Sequence, residues 1–410
     1  MHMPIRPILS SLRHHRLTAA LLALQVALTC AIAINALFLI HGRIERINTT
    51  TGIPEEEISL VSVRGLNPDA NPLAQQDSDL AALRAIPGVT AAVAIGSTLP
   101  LSGGANDIGG CADQASIDRA IALHTLDQVP GCIQSTFYEG SPGFVQALGA
   151  HLIAGRDFNA DEYTDSPSVG IITRSLAQRL WPGQTAIGKV IYGGSQYTVI
   201  GVIDDLLRPR LRDASVDHLV TLWPRRPDDV TARYLLRSTA QDRPRVLAAA
   251  AAALAKSGPV RLQPDNGQRT FSEVRRKYFQ RDSTMVGLLL VATCGLLFVT
   301  ALGIGGLANF WVAQRTRQIG IRRAIGATRG DILRHFQTEN FLIVSVGVVL
   351  GVLLALLLNQ WLMSRYELPR LPLAYLPVGA LALWLLGQIA VFGPARRAAA
   401  IPPAVATRST

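Results

Sequence analysis

Four stretches of the chain are apolar for long enough to cross a bilayer, and a long mixed stretch separates the first from the second. From Leu17 to Ile40 the only strongly polar residues are Gln25 and Asn35, an apolar run of about 24 residues, enough for a hydrocarbon layer ~30 Å thick. Comparable runs extend from Met285 to Trp311, Phe341 to Trp361 and Leu373 to Phe392. They predict transmembrane helices over 17–41, 283–312, 341–362 and 373–393. Arg13 and Arg16 precede the first run as they would a secretory leader. Its apolar region is too long for one, however, and no small-residue cleavage site follows before Arg43, so it reads as a retained helix. Gly347 and Gly351 have the small-xxx-small spacing that lets two membrane helices approach closely.

The stretch between the first two runs changes period. Ile58 to Arg64 and Val89 to Gly96 read as strands on either side of a short helix, Asp77 to Ile86. The same order returns with Tyr234 to Arg237, an alanine-rich helix from Arg243 to Lys256, and Val260 to Leu262. These two βαβ-type units are expected to form one α/β lobe near the membrane (55–99 with 229–270). Between them, 100–228 carries strand signals at Val169 to Thr173 and Tyr197 to Ile203. Turns are expected at Gly103-Gly104, Gly109-Gly110, Pro182-Gly183 and Gly193-Gly194, giving a second, β-rich lobe. The predicted fold class is therefore an α-helical membrane protein with four transmembrane helices and a large α+β extracytoplasmic domain of two lobes.

Composition agrees: 49% of residues are hydrophobic, 17% are charged and the mean hydropathy is +0.27, too apolar for an ordinary soluble protein of this length. The net charge of +10 comes from arginines clustered beside apolar runs, with few aromatics between them, which fits a lipid bilayer and not nucleic acid. Three clusters set the orientation: Arg6, Arg13 and Arg16; Arg315, Arg317, Arg322, Arg323, Arg329 and Arg334; and Arg396, Arg397 and Arg408. All are cytoplasmic at once if 1–16, 313–340 and 394–410 lie inside and 42–282 and 363–372 outside.

Candidate chemistry is sparse. Cys30 and Cys294 lie in apolar runs, whereas Cys111 and Cys132 share a polar, glycine-rich stretch and are the disulfide candidates, a bridge worth about 3 kcal/mol in the chain-entropy model. Gly183 to Lys189 fits the G-x-x-x-x-G-K phosphate loop, but Val190 replaces the magnesium-binding hydroxyl and a Trp-Pro turn, not a strand, precedes it. ATP hydrolysis is therefore expected from a partner chain. His14-His15, His124, His151 and His218 have no metal-ligand spacing, and no nucleophile-elbow motif marks a catalytic serine. No metal or catalytic site is predicted.

The segment Gln314 to Asn340 carries the most information. Ile321, Ile325, Thr328, Ile332 and Phe336 recur at steps of three and four while arginines occupy other faces, predicting one amphipathic helix. The run from Arg315 through Ile319-Gly320-Ile321-Arg322-Arg323-Ala324-Ile325-Gly326 to Asp331-Ile332-Leu333, ending near Glu339, closely resembles the cytoplasmic signature of the FtsX/MacB-like family of ABC permeases. Ala147-Leu148-Gly149, Gly155-Arg156-Asp157-Phe158 and Val199-Ile200-Gly201-Val202 resemble its periplasmic core domain, and the stretch from Pro394 to Ala404 its C-terminal signature. The resemblance covers essentially the whole chain.

It implies a non-catalytic permease subunit in the inner membrane, with ATP and magnesium held by a separate ABC ATPase. Arg315, Arg317, Gln318, Ile319, Gly320, Arg322, Arg323, Ala324 and Gly326 become candidate coupling residues, Gln318 standing where the family usually has Glu. It also implies a second permease copy or paralogue, with a periplasmic adaptor and outer-membrane channel as further candidate partners. Mechanotransmission is the implied mechanism, for export or extraction of a hydrophobic or peptide-like substrate. The alternative within the same resemblance is a non-transport role in signalling or cell-wall hydrolase activation. Ionisable residues are nearly absent from the four apolar runs, unlike a proton-coupled transporter.

Overall fold

The computed structural model describes residues 16–66, 71–126, 128–212, 215–264, 266–366 and 371–400. Arg6, Arg13, His14, His15, Arg408 and the end of the C-terminal signature lie outside the described residues. Helix α1 (Arg16–Ile47) is followed by β1 (Ile58–Arg64), α2 (Pro72–Arg84), β2 (Val89–Ile95), β3 (Asp107–Cys111), α3 (Gln114–Leu123) and β4 (Cys132–Glu139). Next come α4 (Phe144–Leu148), β5 (Leu152–Gly155), β6 (Val169–Thr173), α5 (Arg174–Leu180), β7 (Val190–Gly193), β8 (Tyr197–Ile203) and β9 (Val220–Trp223). The chain continues through β10 (Thr231–Ser238), α6 (Arg243–Lys256), β11 (Gln268–Thr270) and α7 (Phe271–Tyr278). It ends in α8 (Gln280–Gln314), α9 (Thr316–Ala324), α10 (Arg329–Tyr366) and α11 (Tyr375–Ala399). Contacts divide it into two compact units, one of Thr49–Gln280 and one of the flanking segments.

Thr49–Gln280 contains two sheets. The first has the order β11-β1-β10-β2 with every pairing antiparallel. It is two interlocked split βαβ units, because β10 lies between β1 and β2 while β1 lies between β10 and β11. Helices α2 and α6 cover it, and Leu80, Leu83, Val246, Ala250 and Leu254 pack with Val61, Ala92, Tyr234 and Leu236. Two elements differ from expectation. Helix α2 starts five residues early, because the Asn71 side chain accepts hydrogen bonds from the amides of Leu73 and Ala74 and Pro72 occupies the first turn. The fourth strand is β11, a polar three-residue edge strand; Val260 to Leu262 contributes only a bridge from Leu262 to Arg64.

The second sheet has the order β5-β8-β6-β9-β4-β3-β7, and β7 also pairs with β8, so six strands close into a ring. Closure leaves no edge within the ring itself, and β5 stays outside it, paired with β8. Its interior holds Tyr197, Val199, Ile172 and Trp223, with the Tyr197 hydroxyl 2.9 Å from that of Thr221. Gly109-Gly110 and Gly193 are strand residues and not turns. A Cβ on Gly193 would stand 2.3 Å from the Gly109 carbonyl oxygen, so a side chain there would part β3 from β7. Cys111 and Cys132 face each other across β3 and β4 and form a disulfide. The phosphate-loop look-alike follows α5, and its Lys189 lies 5.3 Å from the Trp181 ring centroid and donates to Gln184 Oε1.

The other unit is built on four helices long and apolar enough to cross a membrane: α1, α8, α10 and α11. Helix α1 lies against α10 along the glycine pair. A Cβ on Gly347 would meet Val26 Cβ at 2.7 Å, and one on Gly351 would meet Cys30 Cβ at 2.4 Å and the Ala27 carbonyl oxygen at 2.7 Å. Polar side chains link the helices: Asn35 Nδ2 donates to Ala355 O (3.2 Å), Asn340 Nδ2 to Gly387 O (2.9 Å), and Thr29 pairs with Thr300 (2.8 Å). Two C-terminal boundaries shift outward from the apolar runs, and one start shifts inward: α10 continues to Tyr366 into the expected 363–372 loop, and α11 starts at Tyr375 and runs through Pro394 to Ala399. The alanines after Pro394 explain the second outward shift, since Ala395, Ala398 and Ala399 are buried in the helical core.

Candidate functional site

The expected amphipathic helix over 314–340 is instead two helices and a turn. Helix α9 ends because Gly326 takes a left-handed φ of +106°. The Gly326 amide donates to Arg323 O (3.2 Å) and the Ala327 amide to Arg322 O (3.0 Å), which is the Schellman pattern of helix termination. Two residues later α10 begins with a reciprocal cap: the Asp331 amide donates to Thr328 Oγ1 (3.2 Å), and Asp331 Oδ2 accepts from the Thr328 amide (3.0 Å) and hydroxyl (2.6 Å). These bonds hold Asp331 below the usual carboxylate range, the Thr328 hydroxyl contributing most. The hydrophobic periodicity therefore does not run through: Ile332 and Phe336 are buried on α10, whereas Ile321 and Ile325 are exposed.

The nine candidate coupling residues separate into two groups. Arg315, at the start of α9, donates to both carboxylate oxygens of Glu339 on α10 at 3.1 and 3.0 Å. Arg323 donates to Ala399 O at the end of α11 (3.2 Å). Ile319 and Gly320 are buried, Ile319 among Trp311, Ile332, Phe336 and Ala395. These four hold α9 against the helices. Arg317, Gln318, Arg322, Ala324 and Gly326 are exposed and form the outward face of the segment. Gln318 shares a small cavity of about 80 Å³ with Arg315, Arg322 and His335.

Of these candidates, Arg315 is turned toward Glu339, with side-chain exposures of 17% and 3% for the pair. Glu339 stands alone beside the apolar run that starts at Phe341, since the other acid of the arginine-rich segment 313–340, Asp331, lies well before that run. That isolation was the available signal, since a carboxylate at such a depth requires a partner.

Four helices long and apolar enough to cross a membrane, with a large α+β domain between the first and second, define the class: a multi-pass membrane protein. Residues 25–252, more than half of the chain, match the MacB-like periplasmic core domain, and residues 290–403 match the FtsX-like permease C-terminal region. The chain belongs to the family of FtsX-like permeases with a MacB-like periplasmic core domain.

Among its relatives, the macrolide export ATP-binding/permease protein MacB of Campylobacter jejuni is 28% identical over 270 residues, covering 62% of this chain and 41% of that protein. MacB of Chromobacterium violaceum is 30% identical over 281 residues, covering 63% and 41%. The probable syringafactin export ATP-binding/permease protein SyfD of Pseudomonas syringae pv. syringae is 28% identical over 300 residues, covering 66% and 42%. The chain spans less than half the length of these relatives. The periplasmic region of MacB from Actinobacillus actinomycetemcomitans aligns over 57% of this chain and 97% of that structure, at 11% identity and a TM-score of 0.33.

Proposed function

We propose that this chain is the membrane permease subunit of an ABC transporter of the mechanotransmission type, driven by ATPase subunits on a separate polypeptide that hold ATP and magnesium. The observation that carries the reading is the division of α9 into an anchored face and an exposed face. A segment that receives a push from a partner needs both. Arg317, Arg322 and Ala324 meet the ATPase, while Arg315, Ile319 and Arg323 transfer its displacement to α10 and α11. The relatives are ATP-binding/permease proteins by name, which agrees with an ATP-binding partner.

In this reading both termini and α9 are cytoplasmic and the Thr49–Gln280 unit is periplasmic. Its two sheets act as separate lobes, and two permease copies or paralogues pair in the membrane. The substrate is hydrophobic or peptide-like and is handled by the outer unit, without passing between the helices. The near absence of ionisable groups from the apolar runs supports this last point.

The test is to purify the tagged protein from native membranes in mild detergent, identify the ATPase that accompanies it, and measure ATP hydrolysis with and without Ala324→Trp. Ala324 is exposed, so the indole obstructs docking without entering the core, and both the ATPase and its stimulation are expected to be lost. Gly320→Trp is a poorer probe, because Gly320 is buried and a bulky residue there disturbs the helix packing itself. Retained co-purification of the ATPase with Ala324→Trp overturns the assignment of the docking face.

A further inference from the structure

We infer that the groove beside α7 binds the phosphate-bearing headgroup of an anionic phospholipid. The groove, about 430 Å³, is lined by Arg269, Arg276 and Lys277 together with Asn266, Gln268 and Glu273. Helix α7 is fixed by Phe271 and Val274, both buried, and Val274 also lines the groove. Arg275 points away from the groove, donating to the Thr49 carbonyl oxygen (2.5 Å) and pairing with Glu55. The remaining cations are left for the groove: Arg276 and Lys277 are exposed and Arg269 is half-buried.

The one carboxylate in the lining, Glu273, offsets only part of their charge and leaves the groove net cationic. Glu273 Oε2 accepts from the Thr270 amide (2.8 Å) and hydroxyl (3.1 Å), closing the cap of α7. Among the described residues no ion pair joins Arg269, Arg276 or Lys277 to an acid. Two guanidinium groups and an ammonium, with neutral amides around them, suit a phosphate: the guanidinium fork takes two of its oxygens and lysine acts as a point charge.

Position selects the lipid. Gln280, three residues after Lys277, begins α8, and the apolar run starts at Met285. The chain between them cannot exceed about 20 Å, counting an extended link to Gln280 and helical rise beyond it. The groove is thus tethered within reach of the headgroup layer at the end of a membrane helix. Unpaired cations close to a bilayer surface attract the anionic headgroups present in it.

The full-length protein, reconstituted in nanodiscs of phosphatidylcholine with a minor fraction of phosphatidylglycerol, tests this. After re-extraction into mild detergent, the ratio of the two lipids retained by the protein is read by mass spectrometry. Wild type and a control with three exposed cations replaced elsewhere, Arg119→Gln/Arg179→Gln/Lys256→Gln, should enrich phosphatidylglycerol. Enrichment should fall by about fivefold for each groove cation removed and disappear in Arg269→Gln/Arg276→Gln/Lys277→Gln. Equal enrichment in that variant overturns the inference. Inorganic phosphate at millimolar concentration should leave the retained lipid unchanged; if it strips the lipid, the groove is a site for free phosphate and the lipid assignment fails. Should the triple variant not insert, Arg276→Gln/Lys277→Gln, altered only at exposed side chains, should show the loss expected for two cations, and equal enrichment there overturns the inference.

Discussion

In the Thr49–Gln280 unit, large side chains are buried from water between sheets and helices: Tyr138, Tyr234, Phe144 and Phe271 are all but inaccessible. The hydrophobic effect supplies its cohesion, and a disulfide and buried ion pairs add to it. In the helical unit the apolar faces gain nothing from leaving lipid, so cohesion falls to close backbone approach and a few interhelical hydrogen bonds. Helix α1 makes both kinds of contact with α10. Helix α8 makes few: 6% of its apolar stretch is covered by the rest of the described chain, against 44% for α1. The same residue type therefore has opposite weight in the two helices, and a glycine matters only where another helix lies over it.

Gly351→Leu is the strongest way to break that comparison. Its Cβ alone would fall 2.4 Å from Cys30 Cβ and 2.7 Å from the Ala27 carbonyl oxygen, and backbone cannot yield as a flexible side chain would. Loss of monodisperse protein on size exclusion in detergent is expected. A Cβ added to Gly306 on α8 would have nothing within 4 Å, so Gly306→Leu should leave the profile of the single chain unchanged. Equal damage from both substitutions would remove the distinction between the helices.

The outer unit has its own most vulnerable point at Asp79, which is fully buried and accepts from Tyr234 (2.5 Å), Ser257 (2.5 Å), Gln75 (3.0 Å) and the Arg261 guanidinium. Removing one partner of a buried ion pair costs about 3–5 kcal/mol, so Asp79→Ala should lower the melting temperature markedly. Burial opposes ionisation of this carboxyl, but the bonds from Arg261, Ser257, Tyr234 and Gln75 outweigh it and hold the pKa below the ordinary 3.8. Because the folded value is depressed, the stabilisation is complete above the unfolded-state pKa and is lost as pH falls below it. Wild type should therefore lose its advantage over Asp79→Asn on acidification below about pH 4, as read by thermal melts across the acid range; a constant difference would show that Asp79 is not the titrating group. A smaller loss, about 3 kcal/mol, is expected from Cys111→Ser/Cys132→Ser, and reductant should destabilise wild type but not that variant.

Long-period features are legible in the sequence. The four apolar helices follow from length alone, and β1, β8 and α6 have the bounds that alternation, β-branching and alanine content assign them. What pattern does not reveal is set by pairing. Strand β11, of sequence Gln-Arg-Thr, exists only because β1 offers it an edge. Gly109 and Gly193 resemble turn residues until β3 and β7 are laid side by side. At the coupling segment, periodicity suggests one helix although the stop and start signals, Gly326 and Thr328 with Asp331, stand in the same stretch. Whether an arginine faces a partner or a carboxylate is likewise a three-dimensional property, as Arg315 and Glu339 show, 24 positions apart.

That turn offers the finest test, because its geometry isolates conformation from contact. A Cβ on Gly326 meets nothing within 4 Å, so Gly326→Ala removes no packing and creates no clash. Its whole cost is the left-handed backbone, about 1–2 kcal/mol for an ordinary L residue, and Asn should tolerate the position better than Ala. The effect is local, since α9 and α10 each remain anchored through Arg315, Arg323 and Ile319. Gly326→Ala should accordingly insert and melt almost as wild type, while the Schellman bonds to Arg322 and Arg323 loosen and the exposed face of α9 loses its fixed orientation. ATP hydrolysis by the co-purified complex is the readout: a partial loss in Gly326→Ala, with Gly326→Asn between it and wild type, follows if the turn sets the angle of the docking face. Identical activity in all three would mean that the anchoring residues alone hold α9 in place.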